Sequence, residues 1–179
     1  MPRTMARILL LFSTVDGHTA AICERLRRVL EGRGHEVVLA SLDAGSHPDP
    51  DSFDKIVIGA SIRYGRHRKA VFDFIERHRA LLECKPSAFF SVNIVARKPE
   101  KCDPHNNPYM RKFLRQTAWR PGQLAVFAGR LDYPHYGAFD RFMIRLIMRI
   151  THGPTDTSRS YEFTDWAKVE AFGEAVGKL

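Results

Sequence analysis

The feature that most constrains this chain is residues 7–19, where an apolar run leads into a polar turn and then into a helical pattern. Residues 8–12 form a short, continuous apolar run, which is typical of a strand buried on both faces of a parallel sheet. Residues 13–19 contain hydroxyl side chains and one glycine, and the apolar residues after them recur at helical spacing. A strand, a turn and a helix in this order direct backbone N–H groups and the positive end of the helix at one point.

This turn is a candidate anion site. Its backbone amides would form a concave anion-binding surface, to which Ser13, Thr14 and Thr19 add hydroxyl donors. The turn lacks the Gly-Lys-Ser/Thr ending of a P-loop and the G-x-G-x-x-G pattern of a dinucleotide site. Two interpretations stay open: an ordinary strand-to-helix turn with Thr19 near the helix start, or a site for the phosphate of a mononucleotide or of FMN.

Composition limits the class of protein further. A length of 179 residues favours a single domain, 1–179. The three cysteines have no metal-type spacing, so we expect no metal site and no disulfide, in keeping with a reducing cytoplasm. The run that follows Arg7 is too short for a signal peptide, and no apolar stretch reaches the ~20 residues that span a bilayer.

The net charge of +8 indicates anionic partners. An acidic small molecule and an anionic membrane surface are both compatible with it. Nucleic acid is not expected, because the chain has no nucleic-acid-binding motif and no basic low-complexity tail.

Further apolar runs alternate with helical patterns along the chain. They predict strands at 36–40, 55–61, 87–95 and 124–131. Helices are predicted at 17–33, across 71–82, at 109–116 and from Asp165 onward, with Thr164 as the N-cap of the last one. With the first strand, this order predicts an α/β fold, a doubly wound five-stranded parallel sheet. Ligands of such sheets bind beyond the carboxyl ends of the strands, so the loops 13–19, 61–65 and 93–97 should converge there.

Residues 132–164 form an insertion between the fifth strand and the last helix. Within it, 139–150 is almost wholly apolar apart from one acid and three arginines at i, i+4 and i+8, which share one helical face. This amphipathic helix is too short to span a bilayer. It could be a core helix, a dimer contact or a helix lying in a bilayer interface, and its wide apolar arc with a cationic polar face favours the interface. The predicted interface residues are Arg141, Phe142, Ile144, Arg145, Ile147, Met148 and Arg149.

Several motifs connect the chain to a known family. They read FSTVDGHT at 12–19, IGASIRYG at 58–65, SAFFSVNIVARKPEK at 87–101, YMRKFL at 109–114, DRFMIRLIM at 140–148 and TDT at 155–157. On these motifs the chain resembles flavodoxin-like proteins over nearly its whole length. More narrowly, it resembles the bacterial quinone-dependent protoporphyrinogen oxidases of the flavodoxin-like class.

The resemblance implies a flavodoxin-like fold that binds FMN. It implies that the turn holds the phosphate, through Ser13, Thr14, Gly17, His18 and Thr19, and that 61–65 and 91–97 flank the isoalloxazine. Asp16 stands where flavodoxins often have another hydroxyl, and we expect its carboxylate to point away from the phosphate. The predicted cofactor residues are Ser13, Thr14, Val15, Asp16, Gly17, His18, Thr19, Ser61, Ile62, Arg63, Tyr64, Gly65, Ser91, Val92, Asn93, Ile94, Val95, Ala96 and Arg97.

The resemblance also implies an activity, the FMN-dependent oxidation of protoporphyrinogen IX to protoporphyrin IX in haem biosynthesis. Electrons would pass to a membrane quinone, menaquinone or ubiquinone, at the cytoplasmic face of the inner membrane, where the protein would be peripheral. Because arginine suits the two propionates of the substrate, the predicted substrate residues are Arg63, Tyr64, Arg97 and Lys98. No catalytic residue is assigned, and His18, His67 and His78 are proton-acceptor candidates by residue type alone.

Three other functions stay open. A flavodoxin-type electron carrier would dock basic partners and is generally acidic, which the net charge of +8 argues against. A quinone reductase with another donor, such as NAD(P)H, would need a nicotinamide site that the sequence does not show. A non-redox module that binds membrane surfaces would need no flavin.

Overall fold

The apolar runs of the sequence form the centre of a computed structural model, which describes residues 4–179. The amino-terminal residues 1–3, which precede the first apolar run, lie outside the described part. The strands of the main sheet are β1 (Arg7–Ser13), β2 (Glu36–Ser41), β3 (Lys55–Ser61), β4 (Ser87–Val92) and β5 (Gln123–Phe127). They are parallel and run in the order β2-β1-β3-β4-β5, which confirms the predicted doubly wound, flavodoxin-like sheet.

Helices cover both faces of this sheet. They are α1 (His18–Glu31), α2 (Lys69–Arg77), α3 (Arg79–Cys84), α4 (Pro108–Gln116), α5 (Ala138–Ile150) and α6 (Trp166–Lys178). Alternate residues of β1 point into opposite layers: Ile8 and Leu10 pack with α1 and α6, whereas Leu9 and Leu11 pack with α2 and α4. Burial on both faces explains why the predicted strands read as continuous apolar runs.

The ends of two predicted strands differ from the structure. The strand predicted at 87–95 ends at Val92, because the Asn93 side chain accepts a hydrogen bond from the N–H of Ala96 and starts a short 3-10 turn. The strand predicted at 124–131 divides into β5 and a separate strand, β6 (Arg130–Asp132). β6 pairs antiparallel with β7 (Ser160–Glu162) in a second sheet that no pattern in the sequence predicts.

Two helix predictions also need correction. The helix expected across 71–82 is interrupted at His78, whose ring packs against Phe74 and His47 where α2 ends and α3 begins. The N-cap of α6 is Asp165, which accepts a hydrogen bond from the N–H of Lys168. Thr164, the predicted cap, is instead buried, and its hydroxyl donates to the carbonyl of Ala128.

Helix α5 lies against the second sheet and presents two different sides. Met148 is buried and Ile144 half-buried in a small cluster with Leu131, Tyr133 and Tyr136. The prediction that Met148 belongs to an outward interface is therefore wrong, because this side of the helix faces the protein. Within residues 4–179, no helix has both the length and the apolar character needed to cross a membrane.

His67 is part of the core rather than of an exposed site. Its ring lies edge-on to Phe89 and Phe113, and its Nε2 is 2.9 Å from the hydroxyl oxygen of Ser91. Burial lowers the pKa of His67 to about 4. A histidine held neutral in this way has a structural role, which removes it from the proton-acceptor candidates. His78, at the junction of α2 and α3, lies away from the carboxyl ends of the sheet and has a structural role too.

Stability should depend on pH through His67. The unfolded chain binds a proton at this histidine near pH ~6.5, and the native protein binds it only near pH 4, so acidification through this window favours unfolding. We expect the wild type to lose about 2 kcal/mol more unfolding free energy than His67→Gln between neutral pH and about pH 4.5. Urea unfolding at several pH values measures the difference, and equal losses in the two proteins would contradict it.

Candidate functional site

The carboxyl ends of β3, β4 and β5 enclose a cavity of about 150 Å³ beneath α5. Such an edge is where ligands bind in doubly wound sheets. Of the predicted site residues, the structure brings to this cavity Asp16, Ile62, Arg63, Tyr64, Gly65, Val92, Asn93, Ile94, Val95 and Arg97. The remaining wall consists of Tyr109, Gly129, Arg130, Leu131, Tyr136, Ile144, Ile147, Met148 and Thr151.

The loop after β3 is a tight two-residue turn that presents Tyr64 at the cavity. Arg63 and Arg66 exchange backbone hydrogen bonds of 3.1 and 3.3 Å across it, while Tyr64 and Gly65 have φ angles of 50° and 79°. Both φ values are those of a type I′ turn, a conformation that Gly65 adopts freely and Tyr64 only at a cost. The Tyr64 hydroxyl donates to Asp140 in the first turn of α5, and this hydrogen bond raises the pKa of Tyr64.

Arg63 is the arginine of this turn that lines the cavity. Its guanidinium forms an ion pair with Asp16 and lies 5.5 Å from the ring centre of Tyr136 and 5.9 Å from that of Tyr64. Burial raises the pKa of Asp16, and the charge of Arg63 opposes that rise. The Asp16 carboxylate thus points toward the Arg63 guanidinium. This direction agrees with the expectation that Asp16 points away from a bound phosphate.

The loop after β4 rests on a buried polar network. The Ser91 hydroxyl oxygen contacts His67 and accepts a hydrogen bond from the Asn93 amide, and Asn93 in turn accepts one of 2.9 Å from Asn107. Asn107 caps α4 by accepting from the N–H groups of Tyr109 and Met110. Ser91 and Ala96 lie behind the cavity wall, so they support the loop rather than line the site.

Arg97 fastens this loop to the end of α5. Its guanidinium donates to the carbonyls of Ile94 and Thr151, both at 3.1 Å, and to the Thr151 hydroxyl at 3.2 Å. A cation at the carboxyl end of a helix is also stabilised by the helix dipole. Burial lowers the pKa of Arg97. Its donors are therefore largely committed within the protein, and Lys98, also predicted to meet substrate, is not among the residues that line the cavity.

The turn after β1, the predicted anion site, leads into the amino end of α1, and several of its donors have partners within the protein. Gly17, at φ 80°, precedes α1 and donates its N–H to the Thr14 hydroxyl at 3.0 Å. Asp43 fixes the start of the turn by accepting from the Ser13 hydroxyl and the Thr14 N–H, both at 3.1 Å. Ser13 is thereby committed to Asp43, whereas Thr14 keeps its own hydroxyl proton for another acceptor.

Two buried hydroxyls beside this turn have no hydrogen-bond partner in the described part of the chain. They belong to Thr19, in the first turn of α1, and Ser61, at the end of β3. Ser13 lies opposite Ala60 in the sheet, so Ser61 adjoins the turn. Buried hydroxyls normally have partners, and a phosphate at the amino end of α1 would supply one for each.

A second cavity of about 170 Å³ adjoins the start of α1. It shares Asp16 and Arg130 with the first cavity and is also lined by His18. His18 Nε2 lies 2.6 Å from the Thr164 hydroxyl and 3.6 Å from Glu162, and burial lowers the pKa of His18 while Glu162 opposes the shift. Through these two shared residues the second cavity, at the turn, adjoins the first cavity.

Several residues of this site escaped the sequence reasoning. Arg130 follows β5, so extending the carboxyl-end argument to the fifth strand would have found it. Tyr109 is the second residue of α4 and follows a polar loop in which the sequence shows no site motif. Tyr136 and Ile144 belong to the insertion, whose position over the sheet no periodicity reveals.

The chain matches a family model described as a flavodoxin domain over residues 9–158. It is 45% identical over 173 residues to the protoporphyrinogen IX dehydrogenase (quinone) of Escherichia coli strain K12, a match that covers 97% of this chain and 96% of that relative. The enzyme of the same name from Leishmania major is 43% identical over 175 residues, which cover 97% of this chain and 75% of the relative.

Solved structures show the same fold. The two-electron reduced flavodoxin of Megasphaera elsdenii matches with a TM-score of 0.60 at 14% identity, covering 96% of this chain and 99% of that one. At this identity the likeness concerns the fold alone, whereas the sequence matches extend over nearly the whole chain. The chain therefore belongs to the flavodoxin domain family and, within it, to the family of the quinone-dependent protoporphyrinogen IX dehydrogenases.

Proposed function

We propose that this protein uses FMN to oxidise protoporphyrinogen IX to protoporphyrin IX and passes the electrons to a membrane quinone. The names of the relatives support the substrate and the acceptor. The structural observation that carries the proposal is one continuous site, in which a phosphate-compatible turn leads into an aromatic and apolar cavity. The turn accounts for one end of a flavin mononucleotide and the cavity for its ring.

The donors at the turn fit FMN. The Thr19 and Ser61 hydroxyls, the free proton of Thr14 and the amides at the start of α1 would hold the phosphate. The loops that carry Tyr64 and Val95 would lie on either side of the isoalloxazine. When bound, FMN supplies two-electron chemistry: each step takes two electrons and two protons from the substrate and leaves a quinone reduced to a quinol.

Arg63 is the residue best placed to bind a substrate propionate. It lines the cavity, and its partner Asp16 is an acid that a propionate would replace carboxylate for carboxylate. Tyr64 and Tyr136 flank the guanidinium and offer aromatic surface to the tetrapyrrole. Arg97 contributes by positioning the β4 loop and α5, because its donors already have partners.

The outward side of α5 supports a peripheral place on an anionic membrane. Phe139, Phe142, Leu146 and Ile150 follow one another at i, i+3, i+7 and i+11, and their exposed fractions run from 42% to 70%. Arg145 and Arg149, both exposed, flank this apolar face. A helix with such a face and a cationic edge suits a headgroup layer, here at the cytoplasmic face of the inner membrane.

Replacing Arg63 should lower the rate of protoporphyrinogen IX oxidation more than replacing Arg66, at the other end of the same turn. We expect Arg63→Gln to lower kcat/KM for protoporphyrinogen IX by about tenfold to a hundredfold, since a charge-assisted hydrogen bond is lost. Arg66→Gln, an exposed arginine of the same turn that does not line the cavity, should stay close to the wild type. Porphyrin fluorescence under anaerobic conditions, with FMN and a soluble naphthoquinone, measures the rates. A wild type with no FMN- and quinone-dependent porphyrin formation would refute the proposed function.

Membrane binding should depend on the outward face of α5. We expect Phe142→Glu with Ile150→Glu to abolish flotation with anionic vesicles, because two exposed apolar side chains become charged. Lys69→Glu changes the net charge by the same amount on α2 and should reduce flotation only slightly. If the two proteins floated equally, charge alone would explain binding and the assigned face would be wrong.

A further inference from the structure

The first cavity is lined by exposed residues of two different chemistries, and each group marks a candidate opening to the surface. Four of the residues that line it are exposed: Asp16, Tyr64, Arg130 and Ile147. Asp16 and Arg130 are shared with the second cavity, so that opening is polar and continues toward the turn after β1. Tyr64 and Ile147 line only the first cavity, and the opening beside them is aromatic and aliphatic apart from Asp140, which accepts the hydrogen bond of Tyr64.

Ile147 lies at the border between the side of α5 that lines the cavity and the side that is exposed to solvent. It lines the cavity together with Ile144 and Met148, yet 39% of it is exposed. Its neighbours at i±3 and i±4 along the helix are Met143, Ile144, Ile150 and Thr151, none of which is charged.

The charges of α5 lie along its other edge. Arg141 donates to the carbonyls of Tyr133 and Tyr136, and Arg145 and Arg149 follow at i+4 and i+8. One edge of the helix is therefore cationic. The opposite edge carries one acid, Asp140 at the start of α5, whose carboxylate accepts a hydrogen bond from Tyr64. Beyond Asp140, this edge runs past Ile147 to the end of the helix without a further charge.

We propose that the quinone reaches the cavity sideways from the bilayer, across the edge of α5 at Ile147, where the nearest residues along the helix are uncharged. This inference rests on the proposed function and adds a path and an opening for the acceptor. The quinone ring would enter between Ile147 and the aromatic side chains of Tyr64 and Tyr109, which also line the cavity, while the prenyl tail of the quinone stayed among the lipids. There it would gain two electrons and two protons, which the flavin has taken from the substrate, and the quinol would return to the bilayer by the same opening.

The chemistry of a prenylated quinone favours this path. Its tail is apolar along its whole length, and every methylene that leaves an apolar environment for water costs free energy. The polar opening at Asp16 and Arg130 would impose that cost, whereas the opening at Ile147 continues the apolar face that contacts the lipids. A quinone without a tail pays no such cost and is free to use either opening.

The first test compares two tryptophan variants with two acceptors. Ile147→Trp narrows the opening and stays apolar, so flotation with vesicles should match the wild type. Relative to the wild type, we expect the ratio of its KM for a prenylated quinone carried in vesicles to its KM for a soluble naphthoquinone to rise about tenfold. The control is Met5→Trp, which adds a tryptophan at an exposed residue before β1, at the end of the sheet away from the cavity. We expect both KM values of this variant to equal those of the wild type.

A second readout does not depend on turnover. A photoreactive prenylated quinone in the vesicles should label α5 around Ile147 and α4 at Tyr109. We expect Ile147→Trp to reduce this labelling and Met5→Trp to leave it unchanged. Labelling confined to other segments, or a vesicle-quinone KM that is equal in the two variants, would overturn the path. Absence of wild-type turnover even with the soluble quinone would instead overturn the proposed function, and the labelling pattern would still decide the path.

Discussion

Burial of a parallel sheet on both faces is the constraint on which the rest of this molecule depends. Leu9 and Leu11 on one face and Ile8 and Leu10 on the other make the centre of the sheet apolar. Polar side chains are therefore displaced to the carboxyl ends of the strands, where helix α1 begins with free N–H groups. The position of the cavity and of the candidate anion site at this edge follows from the same packing that makes the core.

Helix α5 covers this edge of the sheet and forms part of the cavity wall. Polar contacts at both ends of α5 hold the helix in this position. Tyr64 binds its first turn through Asp140, and Arg97 binds its last turn through Thr151. Between these contacts Ile144, Ile147 and Met148 line the cavity, whereas the opposite side of the helix is exposed. The loops that would flank a flavin are thus mechanically joined to the helix that would meet the lipid.

The sequence was informative where local chemistry decides the structure. The apolar run of β1 and the turn with Gly17 were predictable, because a buried strand and a left-handed glycine have recognisable signatures. The pairing of β6 with β7 was not, since each strand has three residues and the partners are thirty positions apart. The inward direction of Met148 and the capping role of Arg97 depend on what α5 lies against, which its own periodicity does not encode.

The central claim is that flavin at this cavity takes electrons from a tetrapyrrole, and the most direct measurement is the isolated half-reaction. FMN-loaded protein is mixed anaerobically with protoporphyrinogen IX in a stopped-flow instrument, without quinone, and the absorption of oxidised flavin is followed. The account predicts that this absorption falls with a rate that depends on substrate concentration and returns when quinone is added. Flavin that stays oxidised in the presence of excess substrate would contradict it.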